Sequence, residues 1–494
     1  MNVKSLTLGI SALCCFSCAN NQKMEWVSTM DNSFWNICQP IESAQTTEQI
    51  DILVDTKKAQ QTIDGFGLCF SELGWEALNL LDSKDKESIL QNFFTSSGAN
   101  FTICRMPIGA SDFALDWYSF NENEGDFEME NFTIDNDRKT LIPLINDAKK
   151  HYPDLKIWAS PWSPPSWMKY NKHYASRSTA AMARRIANLP KRTDGESTYM
   201  QIIIDNGLPE EKNHLGREGT DMFIMEDNYL EAYARYFSKF IDAYKQEGID
   251  IFMVAPQNEF NSAQIFPSCC WTAAGLTRFI GNHLGPAMKE RGVDIMFGTM
   301  ERGNEALVDT ALTDTEAKKY ITTVGFQWAG KDAIPGIHAR YPDMKLYQTE
   351  QECGNGKNDW EGAIYSWELM KHYLNNGVSC YNYWNIALKQ GGLSRWGWAQ
   401  NSLVVVDEED RTYQYTPEYY IMKHVSHYVL PGAKKLEVSG PSKEDVLAFI
   451  NQDHSVVLIA GNESEAAKTL HINIDGAIFS PELKASSINT FVLK

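Results

Sequence analysis

The chain has 494 residues and an ordinary apolar fraction of 43 %, which is room for a barrel of about 250 residues and a second unit beside it. Its formal net charge is −19, which excludes nucleic acid and anionic membrane surfaces as charge-held partners, since both need a positive field. Aromatic residues are plentiful, with 14 Trp, 21 Tyr and 23 Phe; beyond core packing, such rings beside acids suit the apolar C–H faces of sugars, so a neutral carbohydrate is the expected substrate.

The N-terminus carries Lys4 and an apolar stretch, Leu6 to Phe16, too short to span a bilayer. Cys14-Cys15-Phe16-Ser17-Cys18 and the polar run after it resemble a bacterial lipoprotein signal, in which a small residue precedes an acylated cysteine. Residues 1–17 are therefore expected to be a signal peptide. A lipid anchor at Cys18 is the one membrane attachment expected, on a secreted cell-envelope lipoprotein of the outer membrane, at its periplasmic or surface face. Cys15 stands where Leu is usual, and a plain secretory signal is the alternative. Seven cysteines follow, Cys38, Cys69, Cys104, Cys269, Cys270, Cys353 and Cys380, with no C-x-x-C pair. Neither a zinc ribbon nor a thioredoxin-type motif is indicated.

Residues 18–63 read as a linker followed by strands, as in Ile50-Asp51-Ile52-Leu53-Val54. From Gly65 the pattern becomes apolar strand, then amphipathic helix, repeated. The predicted strands are Gly65–Phe70, Phe101–Pro107, Lys156–Pro161, Ile251–Pro256, Asp294–Gly298, Val324–Trp328, Lys345–Thr349 and Ser379–Trp384. The predicted helices are Lys84–Phe94, Asp137–His151, Tyr229–Glu247, Ala273–Arg291, Glu305–Tyr320 and Trp360–Asn375, each with apolar residues at helical spacing.

Eight alternations predict an α/β fold with a (β/α)8 barrel over residues 64–430. A doubly wound sheet would alternate too, but no Gly-rich nucleotide loop follows the first strand. A helix over Pro417–Val429 precedes strand patterns in residues 431–494, at Val446–Ile450, Ser455–Ala460, Thr469–Ile474 and Ser487–Val492. The two all-β ends are expected to pair into a side β-sandwich. Residues 171–228, with Arg184-Arg185 and Glu210-Glu211, form an insertion after the third barrel strand, where insertions shape the substrate cleft.

Residues at the C-terminal ends of barrel strands face the active site. The fourth strand runs into Gln257-Asn258-Glu259 and the seventh into Thr349-Glu350. One strand-terminal glutamate is weak as a signal. Two, across the barrel, are what glycoside hydrolysis needs: a protonated carboxyl for the leaving oxygen and an ionised one opposite. A separation of about 5–5.5 Å gives retention and roughly 6.5–9.5 Å gives inversion.

Here the residues carry a resemblance. Gly65-Phe66-Gly67, Arg105-Met106-Pro107, Ser111-Asp112-Phe113, the run Ala159 to Lys169, Gln257-Asn258-Glu259, Thr349-Glu350 and Tyr383-Trp384-Asn385 stand in the order found in glycoside hydrolase family 30. That group includes lysosomal glucosylceramidase and microbial β-1,6-glucanases. The resemblance implies Glu259 as general acid/base and Glu350 as nucleophile. It also implies Asp112, Trp162, Asn258 and Trp384 as holders of the sugar in the cleaving subsite, and Arg105 as the charge that keeps Glu350 ionised. Trp328 also matches, and Trp396 is a candidate for either sugar contact or packing. Glu352 would point the same way as Glu350 by strand alternation; the family register favours Glu350. One departure is Gln327-Trp328-Ala329, where glucosylceramidase-like members read His-Trp-Tyr.

No cofactor and no metal are expected, because neither H-E-x-x-H nor a close His/Asp set occurs. No G-x-S-x-G elbow points to an α/β-hydrolase. The expected function is a retaining β-glycoside hydrolase acting on β-glucosidic linkages. β-1,6-Glucan ranks first, a glucosylceramidase-like or simple β-glucosidase second, and a β-xylosidase third. The rival from another class is a non-catalytic glycan-binding lipoprotein, which would have no need for both glutamates.

Overall fold

The computed structural model describes residues 22–44, 49–177, 216–397 and 399–494. The signal segment with Cys18 lies outside these residues. So do Arg184, Arg185, Glu210 and Glu211 of the insertion.

Eight parallel strands close a barrel: Gly65–Cys69, Ile103–Pro107, Lys156–Ser160, Ile251–Val254, Asp294–Met300, Ile321–Gln327, Lys345–Glu350 and Val378–Asn385. Each pairs with its chain neighbours, and the eighth closes on the first, with Cys380 opposite Gly65. All eight are the strands read from the sequence, with ends shifted by up to three residues. Burial on both faces explains why they read as apolar runs rather than alternations. Gly67 is required by closure: a Cβ there would lie 1.8 Å from the Ile103 carbonyl oxygen.

The barrel is filled by Ile103, Trp158, Met253, Met296, Tyr347 and Cys380, with Ala255. Strand residues two apart share a side. Ile103 in this plug therefore places Arg105 one layer higher, and Trp158 does the same for Ser160. The plug is the floor on which the pocket stands.

Most helices match expectation, with two informative differences. The helix from Ala273 reaches Arg291 only through a π-turn at Ile280–Leu284. There Gly285 lies so close to Tyr320 that a Cβ would meet its ring at 2.3 Å. The helix from Glu305 stops at Thr313, because Asp314 turns the chain by accepting from the backbone N–H groups of Glu316 and Ala317 at 2.9 and 2.8 Å. A helix at Ile334–Arg340 and a small sheet of Ala387–Lys389, Val404–Asp407 and Thr412–Tyr415 were not foreseen.

The chain ends pair with each other. Lys23–Met30 runs antiparallel to Ser487–Leu493, and Ile52–Thr62 pairs with Lys434–Ser439 in one ten-stranded sheet. Alternation gives this sheet two cores. Val446, Ala448, Val456 and Leu458 face a sandwich interior, while Leu447, Phe449, Val457 and Ile459 face the barrel helices. His424, buried in the helix Pro417–Ser426, pins the two units. Its Nδ1 and Nε2 each lie 2.8 Å from a hydroxyl, those of Thr490 and Thr29. Burial lowers its pKa to about 3, so this pin is a neutral imidazole.

Candidate active site

The C-terminal ends of the strands enclose a cavity of about 260 Å³. Six of the nine sequence-predicted residues line it: Asp112, Trp162, Asn258, Glu259, Trp328 and Glu350. The other three stand behind the wall. Arg105 lies beneath it, fully buried. Trp384 stacks against Trp162 with ring centroids 5.2 Å apart. Trp396 packs on Trp117 at 4.9 Å, in an aromatic group formed by the loops above the barrel. The buried indole N–H groups of Trp384 and Trp396 have no hydrogen-bond partner among the described residues.

Arg105 organises the floor. Its guanidinium lies 4.4 Å from the Trp162 ring centre and 4.9 Å from that of Trp158, an arrangement that holds a buried cation between aromatic faces. Its Nη1 donates to Glu350 Oε2 at 2.9 Å, and Nη2 donates to Asn258 Oδ1 at 2.6 Å and to Ser160 Oγ at 2.9 Å. Replacing Arg105 with Met is expected to cost about 3–5 kcal/mol of folding stability, because it strands the Glu350 carboxylate without its counter-charge. Denaturant unfolding checks this, and a loss below about 1 kcal/mol would show that the pair is dispensable.

Gln327 joins the two glutamates. Its Nε2 lies 3.2 Å from Glu259 Oε1, 3.2 Å from Glu350 Oε2 and 3.2 Å from Asn258 Oδ1. Its Oε1 accepts from Arg105 Nη1 at 3.3 Å and from the Thr349 hydroxyl at 2.9 Å, so the amide orientation agrees with every neighbour. Two carboxylate oxygens that share one nitrogen are no further apart than twice that bond length. This ceiling applies to one oxygen of each carboxyl and admits the retaining spacing of about 5–5.5 Å.

Glu259 and Trp328 both have left-handed backbones, with φ of 46° and 49°. Such conformations in residues other than glycine cost about 1 kcal/mol or more and concentrate at functional sites. Thr299 Oγ1 accepts from the Glu259 backbone N–H at 3.0 Å and holds the first of them. The second turns the Trp328 indole so that Nε1 donates to Glu350 Oε1 at 3.1 Å.

The electrostatics separate the two glutamates. Burial, and then the charge of Glu350, raises the pKa of Glu259 to about 7. Burial raises Glu350 as well, but Arg105, Trp328 and Gln327 all pull it back. Among the described residues no cation is paired with Glu259, on which Arg302 exerts only a lesser pull, so the shared negative charge settles on Glu350. Glu352 is elsewhere: Lys331 pairs with it at 2.7 Å and the Tyr365 hydroxyl donates to it at 2.7 Å. It does not line the cavity.

Two functional positions escaped sequence reasoning. Gln327 was noted only as a departure, because a buried amide has no spacing signature. Glu301 follows the fifth strand and lines the cavity, so the strand-end rule that found the other glutamates would have found it too. Glu218, in the described end of the insertion, accepts from Nε of the cavity residue Arg302 at 3.0 Å, which ties that insertion to the cleft.

With this geometry in hand, comparison with known proteins is direct. A family model described as the glycosyl hydrolase family 30 TIM-barrel domain matches residues 63–183 and 211–429. A second, the family 30 beta sandwich domain, matches residues 432–491. Endo-1,6-beta-D-glucanase neg1 of Aspergillus fumigatus is 25 % identical over 93 % of this chain and 91 % of its own. Lysosomal acid glucosylceramidase of Mus musculus is 24 % identical over 88 % and 81 %. A solved endo-β1,6-glucanase superposes with a TM-score of 0.76 at 23 % identity, covering 95 % of this chain and 99 % of the other.

Proposed function

The chain belongs to glycosyl hydrolase family 30, and from that premise we propose that it hydrolyses β-glucosidic linkages with retention, through Glu259 and Glu350. The observation that carries the reading is the single Gln327 nitrogen lying 3.2 Å from both carboxylates, which brings an oxygen of each within reach of the retaining spacing.

The chemistry follows in two balanced steps. Protonated Glu259 gives its proton to the glycosidic oxygen as a Glu350 oxygen attacks the anomeric carbon. The C–O bond to the leaving group breaks and a glycosyl ester forms. Glu259, now a carboxylate, takes a proton from water; the hydroxyl adds to the anomeric carbon and Glu350 departs. Asn258 supports this chemistry at the sugar: its Oδ1 is taken by Arg105, Thr299 and Gln327, which leaves Nδ2 to donate to a hydroxyl. Asp112, with Oδ1 unpartnered among the described residues, and Trp162 are the proposed glycone contacts.

Among substrates, β-1,6-glucan ranks first. The relative named as an endo-1,6-glucanase aligns over more of both chains than the murine glucosylceramidase does. Ala329 on the cavity wall, where the glucosylceramidase pattern has tyrosine, also favours a cleft of different shape. A glucosylceramide-type or simple β-glucosidase is the second reading, favoured by that murine relative, and a β-xylosidase is the third. Side-by-side assays of sugar release from β-1,6-glucan, glucosylceramide and xylan test the ranking. Release from β-1,6-glucan exceeding the others is expected, and none from it would overturn the first choice. The lipoprotein-type N-terminus leads us to place the enzyme at a bacterial envelope, anchored through Cys18. Loss of membrane association on Cys18→Ala, with no loss of turnover, is the corresponding observation.

A further inference from the structure

We propose that Glu301 binds the leaving-group sugar by accepting hydrogen bonds from its hydroxyls, so that this side of the cleft takes a neutral sugar rather than a group without hydroxyls. The inference rests on the retaining-glycosidase reading and adds to it the chemical class of the departing group.

Glu301 is 1 % exposed yet lines the cavity, and neither carboxyl oxygen has a hydrogen-bond partner among the described residues. A buried carboxyl bare on both oxygens is rare, because losing water without gaining a partner is costly. The nearby cation does not bond it. Arg302 directs Nε to Glu218 at 3.0 Å and Nη1 to the backbone carbonyl of Glu301 at 3.1 Å, leaving the Glu301 side chain unbonded. A structural ion pair therefore does not account for this residue.

Its place relative to the reacting pair gives the direction. Glu301 follows the fifth barrel strand, which pairs with the fourth that leads to Glu259, whereas Asp112 follows the second. The two acids thus lie on opposite sides of the line that joins the fourth strand to the seventh. In double displacement the glycone lies over the nucleophile and the leaving group lies beside the acid. Glu301 is then on the leaving-group side, with Ser262, Gln264 and Phe266 from the loop after the fourth strand. Sugar hydroxyls there complete the carboxyl oxygens. A hydrocarbon chain offers no donor and leaves them bare, and sites built to bond a hydroxyl reject ligands lacking one far more strongly than apolar pockets discriminate by size.

The test uses the full chain with two substrates sharing one glycone: a β-1,6-linked glucose trisaccharide and 4-nitrophenyl β-glucoside, whose leaving group has no hydroxyls. Glu301→Leu is expected to lower the ratio of kcat/KM on the trisaccharide to that on the aryl glucoside at least about tenfold. Glu301→Gln, which keeps one acceptor, is expected to fall between Leu and wild type. Neither variant should melt below the wild type, since the carboxyl has no bonds to lose. An unmoved ratio, or an equal loss on both substrates with lower melting, overturns the assignment and makes Glu301 a structural residue. Absence of any β-glucoside turnover by the wild type overturns the glycosidase reading itself, and this inference with it; an active wild type with an unmoved ratio overturns this inference alone.

Discussion

Glu350→Gln is expected to lower kcat by on the order of 10⁴-fold or more, because the variant removes the group proposed to form the glycosyl ester. The amide is nearly isosteric with the carboxylate and keeps the shape of the cavity, although Trp328 Nε1 and Gln327 Nε2 bond different oxygens and only one of them keeps an acceptor. Sugar binding is therefore expected to survive within a few-fold while turnover disappears. The Arg105 guanidinium loses its counter-charge, and some stability goes with it; circular dichroism and a melting curve separate that loss from the chemical one. Turnover within tenfold of wild type in a folded Glu350→Gln variant would show that the nucleophile lies elsewhere, with Glu352 the next residue to test.

Glu259→Gln should behave differently, and the difference identifies its role. A general acid matters in proportion to how badly the leaving group needs a proton. The loss is expected to be about 10²–10⁴-fold on a sugar leaving group and much smaller on an activated aryl glucoside. The pH profile gives an independent reading. Glu259 must be protonated to act, and its pKa is raised to about 7 by burial and by the charge of Glu350. Activity from this group is therefore fully present well below that value and is lost as pH rises through about 7. In the Gln variant this alkaline limb should vanish from kcat/KM on the aryl substrate. A limb that persists unchanged would assign the titration to another group, such as Asp112 or Glu301, both of which burial also raises.

Much of this molecule was legible before folding, for reasons that particular residues make plain. Barrel strands are buried on both faces, so Ile251-Phe252-Met253-Val254 announces itself as an apolar run. The residue just past such a run lies at the rim, which is why Glu259 and Glu350 stood out. The same geometry brought Asp112, Trp162, Asn258 and Trp328 to one cavity.

What stayed hidden depends on contacts between residues far apart in the chain. Gln327 links Arg105, Asn258, Glu259 and Glu350, yet nothing local to its strand marks it. The placement of Trp384 behind Trp162, rather than on the cavity wall, depends on how the end of the eighth strand stacks against the loop after the third. The helix Ile334–Arg340 is short and carries Pro at its start, so it offers too few turns to set a period. The stop at Asp314 depends on a side chain accepting from the backbone ahead of it, a local competition that helical periodicity does not register.

The central claim is a covalent double displacement on Glu350 with Glu259 as the acid. Its most direct test is incubation of the wild-type enzyme with a 2-deoxy-2-fluoro-β-glucoside bearing an activated aryl leaving group, followed by digestion and mass spectrometry of the labelled peptide. The fluorine slows hydrolysis of the ester more than leaving-group chemistry slows its formation, so the intermediate accumulates. The account predicts one sugar per chain, attached to Glu350. A label on Glu352 or any other carboxylate, or no label from an enzyme that turns over the parent glucoside with inversion, would contradict it.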